Sequence, residues 1–343
     1  MSVAPPRLNP GSNRLLIPLL LATVGVAIVA GMIHHVGVGP LLLVLQVAAP
    51  LLPLALALEG ARVACEAVAA RTLYRRVAGR HGGVPPWSAL LRVHLMTYAV
   101  VAFAPAGRAA GEALRAAALR KHVGVARAAA VGTASQGLSL LATGLVSLPC
   151  ALAAHLAGAG VLVASLLVQA AVLSLLGALV LLGPRRPELG RLLRRFRKTE
   201  QGGEAYVQAM NALPPVPLEA LSLAVLGRGV QALLLGTLLF SVGAPLTLRS
   251  ALVALGAVTV GTSAGDFVPG QLGATDGALS LFHAALSTTA TQAVAAAMLA
   301  HGVQLAWALL SVAAPLLALK RARADLRGSF GPGGGSEPTG SIG

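Results

Sequence analysis

Long apolar runs alternate with short polar interruptions along nearly the whole chain. Several runs approach the ~20 apolar residues that an α-helix needs to cross a bilayer. The pattern predicts spans over about Arg14–Met32, Leu41–Leu58, Ala128–Leu148, Val161–Leu182, Leu218–Val242 and Thr291–Leu319. Two further apolar segments are short for a full crossing: Trp87–Ala104, opened by Pro85 and Pro86, and Ser250–Gly265. The first run is longer than the core of a signal peptide and more spans follow it, so it reads as a retained helix.

Each short segment runs into a Pro/Gly break. The first break, Ala104 to Lys121, reads A-P-A-G-R-A-A-G-E-A-L-R-A-A-A-L-R-K; the second, Val268 to Leu281, reads V-P-G-Q-L-G-A-T-D-G-A-L-S-L. In both, an acid stands seven positions after the proline: Glu112 after Pro105 and Asp276 after Pro269.

Composition agrees with the pattern. Of 343 residues, 56% are hydrophobic and 11% charged, more apolar surface than an aqueous domain can bury. The formal net charge of +15 comes from a few short basic segments, the positive-inside bias of a membrane protein rather than a nucleic-acid footprint. Charge places the N-terminus, the segment Arg62–Arg80 and the terminal Lys320, Arg321, Arg323 and Arg327 in the cytoplasm. The turns at His34 and at Pro149–Gly160, which carry no formal charge, fall outside.

The basic group Arg120, Lys121, His122 and Arg127 returns to the cytoplasm only if Pro105 turns the chain back near the midplane. That predicts a re-entrant hairpin; the second hairpin, Ser250–Gly265 followed by the segment Gly270 to about Leu286, enters and leaves from outside. The fold expected is an all-α polytopic membrane protein. It has about six full spans plus two oppositely oriented re-entrant helical hairpins, in the manner of an inverted-repeat transporter.

The domain occupies residues 14–320, between polar tails at 1–13 and 328–343. Its cytoplasmic loop, 184–217, begins P-R-R-P-E-L-G-R-L-L-R-R-F-R-K. This reads either as an amphipathic helix on anionic headgroups, at ~1 kcal/mol per Lys or Arg, or as a plain orientation signal. Cys65 and Cys150 fall on opposite faces, so no disulfide is expected.

Ionisable groups at membrane depth are costly unless paired or facing water, which makes them candidates for function. Arg108, Glu112 and Arg115, at i, i+4 and i+7, share one helical face. Two readings stand side by side: a hydrated cavity where the arginines meet a lipid phosphate, or an ion-pair lock on the hairpin. Gly107, Gly111, Gly270 and Gly273 would let an anionic headgroup approach the N–H groups at a half-helix start. Asp276 stands in the second half-helix with no arginine beside it; Asp266 reads as a cap. Arg228 is about three turns into its helix, either facing Asp266, Asp276 or substrate, or snorkelling. His94, Gln136, Gln169, Gln231, His301 and Gln304 are polar positions inside spans. Glu59, Arg62 and Glu66 share a face and read as an interfacial salt-bridge set. No nucleotide loop, zinc-protease motif, serine-hydrolase elbow or metal cluster is present, and no cofactor is expected.

At Pro105, Gly111, Glu112, Arg115 and Leu119 the chain resembles the lysylphosphatidylglycerol synthase transmembrane region, the flippase-like domain family. Pro269, Gly270, Leu272, Gly273 and Asp276, followed by Gly277, Ala278 and Leu279, resemble its second motif. There the family usually carries a basic residue and Glu where this chain has Thr275 and Asp276. The resemblance covers about Leu15 to Leu319. It implies a role in moving or binding lipids, such as phospholipids, polyisoprenyl-linked sugars or hopanoids. Because the chain ends soon after its last span, the aminoacyl transfer of the best-known members is not implied, and no enzyme activity is expected.

The function expected is that of a bacterial inner-membrane protein that translocates or binds a lipid in a polar cavity between the hairpins. The substrate-binding set is Arg108, Gly111, Glu112, Arg115, Arg228, Gly270, Gly273 and Asp276. The alternative is a non-transporting partner or anchor for a lipid- or glycan-modifying enzyme. Membrane lipids are the expected partners, nucleic acid is not, and a homodimer is left open.

Overall fold

The computed structural model describes residues 30–31, 34, 37–78, 83–103, 107–185, 200–265, 268, 271 and 273–329. The N-terminal tail, nearly all of the C-terminal tail, most of the first predicted span, most of the predicted surface segment Pro184–Lys198, and Pro105, Asp266, Pro269 and Gly270 lie outside the described residues. So does the side chain of Arg108.

The described residues are helical, with no strand among them. Helix α1 (Val38–Ala48) passes through a 3₁₀ turn at Ala49–Leu51, where Pro50 takes an early position that needs no N–H donor, into α2 (Leu52–Ala78). Then follow α3 (Trp87–Phe103), α4 (Gly107–Val123), α5 (Val125–Leu156) and α6 (Gly160–Leu182). The second half comprises α7 (Glu200–Ala212), α8 (Leu218–Ser241), α9 (Leu248–Gly265), α10 (Ala274–Leu281) and α11 (Ala290–Ser329).

Six stretches are long and apolar enough to cross a bilayer: Gln46–Ala78, Val125–Leu156, Gly160–Arg185, Leu218–Ser241, Leu248–Gly265 and Ala290–Ala313. Five overlap predicted spans. The fifth in this series, α9, was expected to be too short; it starts two residues earlier, at Leu248, and its 18 residues reach about 27 Å at 1.5 Å each. By contrast α3 contributes only the shorter apolar stretch Trp87–Ala102.

Three boundaries differ from the sequence pattern. Helix α2 does not lose its membrane character at Leu58, because its charges pair with one another and with neighbouring helices. Helix α5 runs through Pro149 to Leu156 instead of ending there; in a packed membrane helix one lost N–H donor is tolerated. Part of the loop 184–217 is the helix α7. Its Tyr206, Ala209 and Met210, with Leu213 just beyond its end, are buried against α5, and Tyr206 Oη donates to Thr133 Oγ1 at 3.1 Å.

Helices α3 and α4 pack antiparallel. A Cβ built on Gly111 would lie 2.8 Å from Thr97 Cγ2 and one on Gly83 3.3 Å from the His122 carbonyl, so the ends away from the break meet again. Helices α9 and α10 pack on each other beside their break: a Cβ on Gly261 would lie 2.7 Å from the Ala274 carbonyl. The largest seam is α5 on α6, where Gly137, Gly144 and Gly177 let the backbones touch.

Two large apolar clusters hold the bundle. One joins Leu73 and Tyr74 of α2, Leu119 of α4, the first turns of α5, and α7. The other joins Ala55 of α2, Cys150–Ala154 of α5, Leu234–Leu239 of α8, α9 and α11. On α2, α5 and α8 the clusters fall toward opposite ends, leaving a polar layer between. The outer surface carries exposed Leu43, Val168, Leu175, Leu226 and Leu233, as a lipid-facing surface should. Thr133, Thr143, Ser147, Ser165 and Thr237 each donate to the carbonyl four residues back, so their hydroxyls need no partner outside the helix.

Candidate functional site

The polar layer encloses a central cavity of about 330 Å³. Both helix pairs reach it: Thr97, Tyr98, Glu112 and Arg115 from α3–α4, and Thr259, Thr262, Ser263, Thr275 and Leu279 from α9–α10. Helices α2, α5, α8 and α11 complete the wall. Three carboxylates (Glu59, Glu66, Glu112), three arginines (Arg62, Arg115, Arg228) and two histidines (His94, His301) line it among the described residues. With neutral histidines their formal charges cancel, which limits the cost of burying them.

The charged wall is built from α2, α3 and α4. Arg62 bridges two carboxylates of its own helix, 2.6 Å from Glu59 Oε1 and 2.5 Å from Glu66 Oε1, at i−3 and i+4. Tyr98 of α3 donates to Glu59 Oε1 at 2.5 Å, and the Arg62 guanidinium lies 5.7 Å from the Tyr98 ring centre. Glu66 extends toward His94, with Oε2 3.7 Å from Nε2. Its half-exposed carboxylate opens into the cavity, and Arg228 acts on it from α8. His94 Nδ1 lies 3.4 Å from Arg115 Nη2, and Arg115 Nη1 donates to Glu112 Oε1 at 2.9 Å. The chain Glu59–Arg62–Glu66–His94–Arg115–Glu112 is thus continuous across three helices. It ends on a buried oxygen, Glu112 Oε2, without a hydrogen-bond partner; Gln136 of α5 faces the same carboxylate.

The opposite wall is mostly neutral. Arg228 donates to Gln231 at 2.9 Å and to Thr143 Oγ1 at 2.9 Å. Around it stand Gln136, Thr259, Ser263, Thr275 and Gln304, hydroxyl and amide groups that can donate or accept.

The predicted residues are placed as follows. Glu112, Arg115 and Arg228 line the cavity together. Gly111 does not; it lets α4 approach α3, and its carbonyl accepts from Thr97 Oγ1 at 3.4 Å. Asp276 is buried behind the wall. Its Oδ2 accepts from the Gly273 N–H at 2.7 Å, and its Oδ1 lies 3.0 Å from His301 Nε2. The carboxylate of Asp276 therefore occupies the start of α10, where a headgroup anion was expected. Gly273 supplies the left-handed turn (φ 81°) that brings the N–H there. Arg228 takes Gln231 and Thr143 rather than Asp276 in its hydrogen bonds to described residues.

Glu59, Arg62 and Glu66, expected at the interface, come to the cavity with His94 and Tyr98. The signal was present: three charges at i, i+3 and i+7 inside an apolar helix with no break. His301 and Gln304, read as helix bridges, line the cavity as well. Among the described residues no group of three or more His, Cys, Asp or Glu is arranged to hold a metal ion.

A protein-family comparison identifies the architecture. No curated protein shows a significant match to the chain. The family model described as the lysylphosphatidylglycerol synthase TM region matches residues 15–313, which include every lining residue of the cavity. A multi-pass helical membrane protein with this match is related to the flippase-like proteins of lipid metabolism, and the chain belongs to the lysylphosphatidylglycerol synthase TM region family.

Proposed function

We propose that this protein admits the polar headgroup of a membrane lipid into the central cavity and passes it across the bilayer, without acting as an enzyme. One observation carries the reading: a cavity lined, among the described residues, by six charged side chains lies between two apolar clusters, at the meeting of both broken helix pairs. A polar cavity at that depth serves a group that must leave water to cross.

The two pairs then act as re-entrant hairpins entering from opposite faces. Each is followed by a long helix, α5 or α11, as in an inverted repeat, and that arrangement lets access alternate around a fixed site. Arg115 and Arg228 hold the headgroup phosphate, and Glu112 orients Arg115. Basic segments at Arg75–Arg76 and Arg120–Lys121 support cytoplasmic termini in a bacterial inner membrane.

Reconstitution into liposomes with fluorescent lipids tests the reading. Wild type moves a labelled phospholipid faster than protein-free vesicles, and Glu112→Ala slows it. If wild type and Glu112→Ala both stay at the protein-free rate for phospholipid, polyisoprenyl and hopanoid probes, the proposal fails.

A further inference from the structure

We propose that His94 is a proton site coupled to headgroup binding: protonation of its Nδ1 releases Arg115 to an anionic headgroup, so anion and proton enter together. The inference rests on the lipid reading above and deepens it by naming the coupling ion.

His94 is 4% exposed and stands between Arg115 on α4 and Glu66 on α2. An arginine only donates and does not give up its proton in a protein. Its hydrogen bond at 3.4 Å therefore needs the lone pair of Nδ1. That makes His94 neutral here, with its hydrogen on Nε2, facing Glu66 Oε2 across 3.7 Å. The tautomer follows from the partner and from nothing else.

Add one proton at Nδ1, taken from cavity water. Two N–H groups now oppose each other, and the bond from Arg115 Nη2 breaks. The imidazolium moves toward Glu66, whose contact has room to shorten. Arg115 keeps Glu112 through Nη1, while Nη2 joins Nε, which already lacks a partner, as a donor for an anion.

The surrounding charges set the sign. From α2, Glu66 favours the proton and Arg62 opposes it; from α4, Arg115 opposes it and Glu112 favours it. Tyr98 stands one turn along α3, His301 lines the cavity from α11, and Arg228 lines it from α8. Burial itself also opposes the charged ring; an anion seated on Arg115 offsets the largest opposing charge. The proton likewise removes the contact that holds Arg115 away from the anion. Each then strengthens the other by the same factor, as linkage requires. Charge balance points the same way. The charges of the described lining side chains cancel with neutral histidines, so against these a monoanion alone leaves one uncompensated charge in a low-dielectric site. One anion with one proton leaves none.

The test uses full-length protein in phosphatidylcholine vesicles with a trace of fluorescent phosphatidylglycerol, at about pH 6 and pH 8, where histidine titrates. Wild type is expected to move the probe faster at the lower pH, approaching tenfold per unit above the histidine's titration, as one linked proton dictates. His94→Asn, whose amide oxygen stands near the place of Nδ1, still accepts from Arg115 but takes no proton, and its rate should not change with pH. Equal wild-type rates at both pH values overturn the coupling while the lipid reading stands; no movement at either pH overturns both. A second readout is independent of transport: nitrogen NMR of ¹⁵N-histidine protein, assigned with His94→Asn. A single Nε2–H tautomer at high pH that becomes imidazolium on acidification supports the site. An imidazole that stays neutral to about pH 5 overturns it.

Discussion

Gly132 on α5 makes the room that the Glu112 carboxylate occupies: a Cβ built there would lie 3.1 Å from Glu112 Oε2. The relationship links two helices at the edge of the cavity and sets where the last carboxylate of the charged chain can sit. Gly132→Ala should displace that carboxylate by a few tenths of an ångström and loosen its hold on Arg115. Alanine regains about 1 kcal/mol of helix propensity, so stability should stay near wild type. Lipid translocation should fall severalfold with an unchanged melting temperature. Equal activity of the two proteins would show that the position of Glu112 is not critical.

Arg62 is the cation between two carboxylates, and no hydrogen-bonding substitute replaces it in Arg62→Met. Breaking a buried pair from one side costs about 3–5 kcal/mol, because charge is left uncompensated. The variant should unfold at a clearly lower temperature by tryptophan fluorescence. Adding Glu59→Gln and Glu66→Gln should recover most of the loss; no recovery would mean that Arg62 acts through packing on Tyr98 alone.

Asp276 closes the first turn of α10 through the Gly273 N–H. Asp276→Asn keeps an acceptor there and should melt near wild type. Asp276→Ala loses both the cap and the His301 contact and should be less stable, by about 1 kcal/mol for the cap. Thermal melts of the two purified variants decide it, and identical melts would remove the capping role.

The seam between α5 and α6 has no slack. A Cβ on Gly177 would stand 2.7 Å from the Gly137 carbonyl oxygen and 2.8 Å from the Leu141 nitrogen, both backbone atoms that cannot rotate away. Gly177→Leu should separate the helices and cost about 1–3 kcal/mol or more. Size-exclusion chromatography in detergent should show loss of the single symmetric peak, whereas Gly229→Leu, with open space at its Cβ, should not.

Much of the architecture is a local property of the chain. Span length, the Pro/Gly breaks and the spacing of Glu112 and Arg115 can each be read in windows of about twenty residues, because a membrane helix satisfies its own backbone. The family motifs at Glu112 and Arg115 led to one side of the cavity for the same reason. Where local reading went astray, a distant partner had changed the cost of a residue. Glu59, Arg62 and Glu66 ended the predicted span at Leu58, yet α2 carries them at cavity depth, paired along the helix and joined by Tyr98 and His94. Asp276 reads as a substrate-binding carboxylate, but the turn at Gly273 and His301 from α11 already engage it.

From the residues alone came a polytopic helical membrane protein, its two broken segments and its family, since hydropathy, charge bias and motif spacing need no neighbour to be read. Only the tertiary structure decided which charges meet. Helical periodicity says which residues share a face but not which helix that face touches, and the contact of His94 with Arg115 joins positions 21 apart on two helices. The rotation that aligns them is set by close packing at Gly111, where the absence of a side chain lets α4 approach Thr97 and Val101 of α3.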